Sequence, residues 1–124
     1  MSSWQYVADL ASRLPDAVLS VAHEGSPAFY VGRHTFARLR LDQDREVLQS
    51  WTGDLSTAEA LADRRDVFVR IDTFSHRVST WAYLDSLEDR EVAELVLDSY
   101  LIRGPVGRRG LDVSRYLDDP DAES

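Results

Sequence analysis

The chain has 124 residues, 44% hydrophobic and 29% charged, with a formal net charge of −8, which is the composition of one ordinary soluble domain. The absence of cysteine excludes disulfides, thiolate nucleophiles and Cys-based zinc or iron–sulfur sites, and the absence of lysine excludes Schiff-base chemistry and a Walker phosphate loop. No apolar run is long enough to cross a bilayer, and MSSWQYVADL lacks the basic flank and apolar stretch of a signal peptide, so a cytoplasmic protein with no membrane partner is expected.

In chain order, Trp4, Val7, Ala8, Ala11 and Leu14 recur at helical spacing behind a Ser2–Gln5 capping box, which predicts a first helix over 3–13, closed by Pro15. Residues 15–27 read as a connector whose Val18, Leu19 and Val21 pack on the core. Ala28–Val31 and Thr35–Leu41 read as a hairpin around Gly32. Alternation in its second strand sets Ala37, Leu39 and Leu41 on one face and Phe36, Arg38 and Arg40 on the other. A turn at 42–44 leads to a third strand, Glu46–Trp51. Ser56 and Glu59 cap a second helix over about 56–64. Val67, Val69 and Ile71 alternate with Phe68 and Arg70 in one strand; Val78, Thr80, Ala82 and Leu84 alternate with Ser79, Trp81 and Tyr83 in the next. A third helix spans about 87–102, with Val92, Leu95, Val96 and Tyr100 as its buried stripe, and is stopped by Gly104 acting as a C′ glycine before Pro105.

The order α-β-β-β-α-β-β-α, with short turns between strands, predicts an α+β fold. Its antiparallel sheet of about five strands has helices packed on one face and the other face open. One domain is expected over 1–104, followed by a charged extension over 105–124 whose last residues are disordered.

Within this order, LPDAVLSVAHEGSPAFYVGRHTFARLR, the helix STAEALADR and TWAYLD resemble the MmcQ/YjbR family over roughly residues 4 to 103. Gly25, Pro27, Phe29, Gly32, Phe36 and Trp81 sit at the family's signature positions. Thr80 stands where the family has a glycine, and the family's lysines are replaced or absent. The resemblance implies a fold similar to bacterial frataxin (a CyaY-like fold) and carries the description of a predicted DNA-binding protein with a double-wing motif. It also makes Phe36 a core residue, against simple alternation, which requires a bulge or twist between Phe36 and Arg38.

The charge is unevenly spread. Residues 1–32 carry one Arg against three acids, 33–77 eight of each, 78–103 two against six, and 104–124 three against five. The middle of the chain alone escapes net repulsion from a polyanion. There, Arg33, His34, Arg38 and Arg40 gather around the hairpin, and Arg70 and Arg77 follow. These six are the candidate contacts to DNA phosphates, since the guanidinium fork suits phosphate; the alternative is a solvated edge paired with Asp42, Asp44 and Glu46. Phe68, Trp81 and Tyr83 share the expected open face with Arg70, and could stack bases or anchor a protein partner. The expected function is therefore non-enzymatic DNA binding, weak and salt-dependent. A protein-interaction or small-ligand domain on the same aromatic face is the alternative.

His23, His34 and His76 are scattered without metal-pair spacing, and no G-x-S-x-G elbow is present, so no metal, cofactor or catalytic residue is expected. Asp85, Glu88, Asp89, Glu91, Glu94 and Asp98 read as a solvated helix face. Arg103, Arg108, Arg109 and Arg115 form a second basic group, expected to dock on those acids.

Overall fold

Ser3, rather than Ser2, caps the first helix, its hydroxyl accepting from the Tyr6 N–H at 3.3 Å. The computed structural model describes residues 1–21, 25–53, 55–64, 66–74 and 77–104; the expected charged extension lies outside the described residues. Helix α1 (Trp4–Ala11) is followed by β1 (Ala17–Val21), β2 (Pro27–Val31), β3 (His34–Asp42) and β4 (Arg45–Thr52). Helix α2 (Leu55–Ala62), β5 (Phe68–Phe74), β6 (Arg77–Tyr83) and, after one 3₁₀ turn, α3 (Asp89–Arg103) complete the described order. A carboxylate oxygen of Glu46 accepts from the Trp4 N–H at 3.0 Å, placing negative charge at the positive end of α1.

The fold is α+β, as expected, with all pairings antiparallel in one sheet of order β1-β2-β3-β4-β6-β5. The sixth strand is β1, in the segment read as a connector. Ala17 packs against the core, but the three side chains expected there do not: Val18, Leu19 and Val21 are 59%, 58% and 67% exposed. β1 is an edge strand paired only with β2, and its hydrogen bonds to that strand, rather than burial, hold it.

Two hairpin turns show their chemistry directly. β2 and β3 are joined by Gly32-Arg33, with Gly32 at φ 62, the left-handed value that a two-residue loop asks of its first residue. Gln43 and Asp44, between β3 and β4, are both left-handed, at φ 50 and 69. Gly104, by contrast, caps α3 in extended geometry, at φ −73 and ψ 169, and is not a left-handed C′ glycine. This is the region to which a residue before proline is pushed.

The core lies between the helices and one sheet face. Its centre is a run of aromatic rings: Trp4 to Phe29 at 5.9 Å, Phe29 to Phe36 at 6.4 Å, and Phe36 to Tyr100 edge-on at 5.3 Å. Phe36 reaches this core through a bulge. Phe29 pairs with Ala37 and Tyr30 with Thr35, so Phe36 is the extra residue. Phe36 and Ala37 are both buried on the helix side, while Arg38 keeps the opposite side. The α3 hydroxyl of Ser99 closes the gap in the ladder: it accepts from the Trp51 N–H at 2.9 Å and donates to the Phe36 carbonyl at 2.6 Å.

Phe36→Ala is expected to lower stability by about 3–5 kcal/mol, the range for a large aromatic removed from a core. Ser99→Ala, which leaves one buried and one partly buried backbone group unpaired, is expected to cost about 1–3 kcal/mol. Denaturant unfolding of the two variants checks both values.

Candidate functional site on the open sheet face

Register assigns the side chains of the uncovered face. Arg38, Gln49, Trp81 and Arg70 form one row across β3, β4, β6 and β5; Arg40, Val47 and Tyr83 form the next. Asp42 and Arg45 close the face at one end, and Asp72, Ser79, Trp51 and Arg77 lie towards the other. The strand rows therefore set Arg38, Arg40, Arg45, Arg70 and Arg77 against Asp42 and Asp72.

Trp81 is the centre of this layer. The guanidinium carbons of Arg40 and Arg70 lie 4.5 and 4.7 Å from its ring centroid, a double cation–π contact. Asp72 fixes the arrangement, accepting from Arg70 Nε at 2.7 Å and from the Trp81 indole N–H at 3.1 Å. Arg40 Nε donates to Gln49 Oε1 at 3.1 Å, and Gln49 Nε2 donates to Ser79 Oγ at 3.1 Å. Arg38 Nε reaches Ser26 Oγ at 3.4 Å.

At one end, Arg45 covers the Tyr83 ring at 3.5 Å and forks onto Asp85 at 2.7 and 3.1 Å. The Tyr83 hydroxyl donates to Asp42, which raises the phenol pKa. At the other end, Arg103, the last residue of α3, donates from Nε to the Thr35 carbonyl at 2.8 Å and lies 4.7 Å from the Trp51 ring centroid. Burial, then the charge of Arg77, pulls its pKa down to about 10. His34 is held below the ordinary value by burial, then by the charges of Arg103, Arg77 and Arg33. Among the described residues, Arg33 and Arg77 make no hydrogen bond or ion pair, and Arg103 has no carboxylate partner.

The structure thus brings Arg38, Arg40, Arg70, Arg77, Trp81 and Tyr83 onto one face, with Arg33 and His34 at its rim. Phe68 is the correction. It is 5% exposed and packs in the core beside Leu61 and Leu87, so it is not available for stacking. A second register shift, between Phe68 and Arg70, is the reason: Phe68 pairs with Ala82 and Arg70 with Trp81, so Val69 is extra and the two no longer share a face. Arg103 is a second correction, turning to the sheet rather than to the acids of α3. Those acids are not simply solvated either: Glu91 pairs with Arg64 at 2.5 Å and Glu94 with Arg90 at 3.5 Å. His23, His76, Arg108, Arg109 and Arg115 lie outside the described residues. Sequence reading missed Trp51, Arg45 and Arg103 as parts of the face. The alternation of Trp51 with Gln49 was a usable signal, whereas nothing local tied Arg103 to it.

Three helices on one face of an antiparallel sheet, with an arginine–aromatic layer on the other, define an open-faced α+β domain. The family model described as YjbR matches residues 12–102, and the chain belongs to that family. Among solved structures, the crystal structure of Deinococcus radiodurans protein DR2400, with a DUF419 domain, has the same fold. Its TM-score is 0.70 at 18% identity, over 98% of this chain and 91% of that one. No curated protein matches the chain in sequence.

The His34 imidazole is expected to titrate below the ordinary 6.5, and Arg77→Gln is expected to move it upward. A folded histidine that binds its proton more weakly than the unfolded one adds stability above the unfolded pKa. That contribution is lost as pH falls through the folded pKa. An NMR titration of the ring protons, in the parent chain and the variant, checks the direction.

Proposed function

We propose that the protein is a non-catalytic nucleic-acid-binding module that holds a DNA strand against the open sheet face, with the β2–β3 hairpin at its rim. The observation that carries this reading is the sorting of charge. A chain of net charge −8 gathers Arg38, Arg40, Arg45, Arg70 and Arg77 on one face, interleaved with Trp51, Trp81 and Tyr83. Cationic grooves with aromatic rings are what single strands require, the guanidiniums following phosphates and the rings meeting bases. The double-wing description attached to the resembling family points the same way.

The geometry also bounds the strength. Asp72 compensates Arg70 and Asp85 compensates Arg45, and a base reaching Trp81 must displace a guanidinium already on the ring. Phosphate contacts then carry most of the binding, with affinity in the non-specific range of about 10⁻⁴ to 10⁻⁶ M. A protein partner is the second reading, favoured by Val18, Leu19 and Val21, which are exposed on the edge strand β1.

Labelled single- and double-stranded DNA is to be titrated at about 50 and about 200 mM salt, where about three phosphate contacts to a single strand make affinity fall roughly 20-fold. The variant with Arg33, Arg38 and Arg40 all changed to Gln is expected to lose most of the binding while its circular dichroism spectrum is unchanged. Binding that ignores salt, or survives in this variant, contradicts the proposal and favours the protein partner.

A further inference from the structure

Beside the Trp81 layer lies a second feature, an open cleft of about 410 Å³ lined by Trp51, Arg77, Ser79, Gln49 and Arg103 among others. We infer that this cleft is a binding site for a phosphomonoester dianion carried on an aromatic base. The inference goes beyond strand binding by the face and does not depend on it.

Two cations converge here, and no described carboxylate is left to match them. Arg103 is half-buried at the end of α3, its Nε spent on the Thr35 carbonyl, and no described carboxylate pairs with it or with Arg77. Asp72 also lines the cleft, but one of its oxygens accepts from Arg70 and the other from Trp81, so its charge is already met. A partly buried charge is ordinarily paired. Here, instead, like charges crowd together, and after burial the charges of Arg103 and Arg77 lower the His34 pKa as well.

The chemistry of the lining selects the ligand. Two guanidiniums with no described carboxylate partner balance a dianion, and their forks match phosphate oxygens. The Ser79 hydroxyl accepts from Gln49 and keeps its own proton to donate to a phosphate oxygen. The Trp51 ring beside them offers apolar surface to a base, and the volume exceeds what a lone phosphate fills. Such a group comes either from a free nucleotide or from the phosphorylated end of a strand.

The probe is adenosine 5′-monophosphate, added to the full chain at low salt and followed by calorimetry, with adenosine as the comparison. The nucleotide is expected to bind about tenfold or more tightly than adenosine, the worth of charge-assisted hydrogen bonds at the phosphate. It is also expected to raise the His34 pKa by supplying the missing anion. Arg77→Gln, at an exposed residue with no described partner, is expected to weaken nucleotide binding about tenfold without affecting the fold. Arg103→Lys keeps the charge, loses the fork, and is expected to weaken it too.

An oligonucleotide with a 5′-phosphate is then compared with the same strand ending in a hydroxyl. Preference for the phosphorylated strand assigns the site to strand ends, and nucleotide binding without that preference assigns it to free nucleotides. Nucleotide binding no tighter than adenosine, or unchanged in Arg77→Gln, overturns the inference. Nucleotide binding without any strand binding upholds it while removing the nucleic-acid reading of the face.

Discussion

One extra residue in each of two strands decides which side chains this protein shows. In β3 the bulge at Phe36 sends an aromatic ring into the core and leaves Arg38 and Arg40 outside. In β5 the shift between Phe68 and Arg70 does the same for another phenylalanine and another arginine. Strict alternation would put each phenylalanine on the arginine face, exposing apolar surface and thinning the core. The β3 bulge also breaks the ladder to β4, and Ser99 of α3 repairs it with one hydroxyl that both accepts and donates. The open face therefore depends on a helix packed behind it: α3 supplies Tyr100 to hold Phe36, Ser99 to hold the backbone, and Arg103 to reach round to Trp51.

The second consequence is electrostatic. An acidic chain can present a cationic surface only by keeping its acids elsewhere or tying them up. Glu91 and Glu94 lie on α3 with Arg64 and Arg90 as partners, and Glu46 serves the start of α1. The carboxylates that do reach the open face, Asp42 and Asp72, accept hydrogen bonds from Tyr83 and Trp81. They act as props that orient aromatic rings as well as countercharges. Exposed ion pairs of this kind add little to stability; their effect here is to fix where the guanidiniums lie.

Much of this was readable beforehand, for physical reasons. The helices declared themselves through 3.6-residue spacing but not through the expected capping boxes, since Ser3 rather than Ser2 caps α1 and Ser56 lies inside α2; the β2–β3 turn declared itself through Gly32, whose φ of 62 glycine adopts without strain. Phe36 was legible only because family resemblance and alternation disagreed, and a bulge was the one geometry satisfying both. Phe68 had no such conflict to expose it, so alternation misplaced it. β1 escaped notice because both its faces are largely exposed, which gives AVLSV no apolar–polar period. Arg103 is far from the sheet in sequence, and only the packing of α3 reveals which residues it meets.

The role proposed for the face opposite the helices is to receive a negatively charged strand. Its most direct test maps single-stranded DNA onto the assigned protein by ¹⁵N NMR at low salt, following the three indole N–H groups and the arginine Nε groups. Trp4 is an internal control, since its ring packs against Phe29 in the core. The expected result is movement of Trp51, Trp81, Arg38 and Arg40, with Trp4, Glu91 and Glu94 unmoved. Shifts confined to the helices, or none at concentrations where duplex and single strand are in large excess, would contradict it.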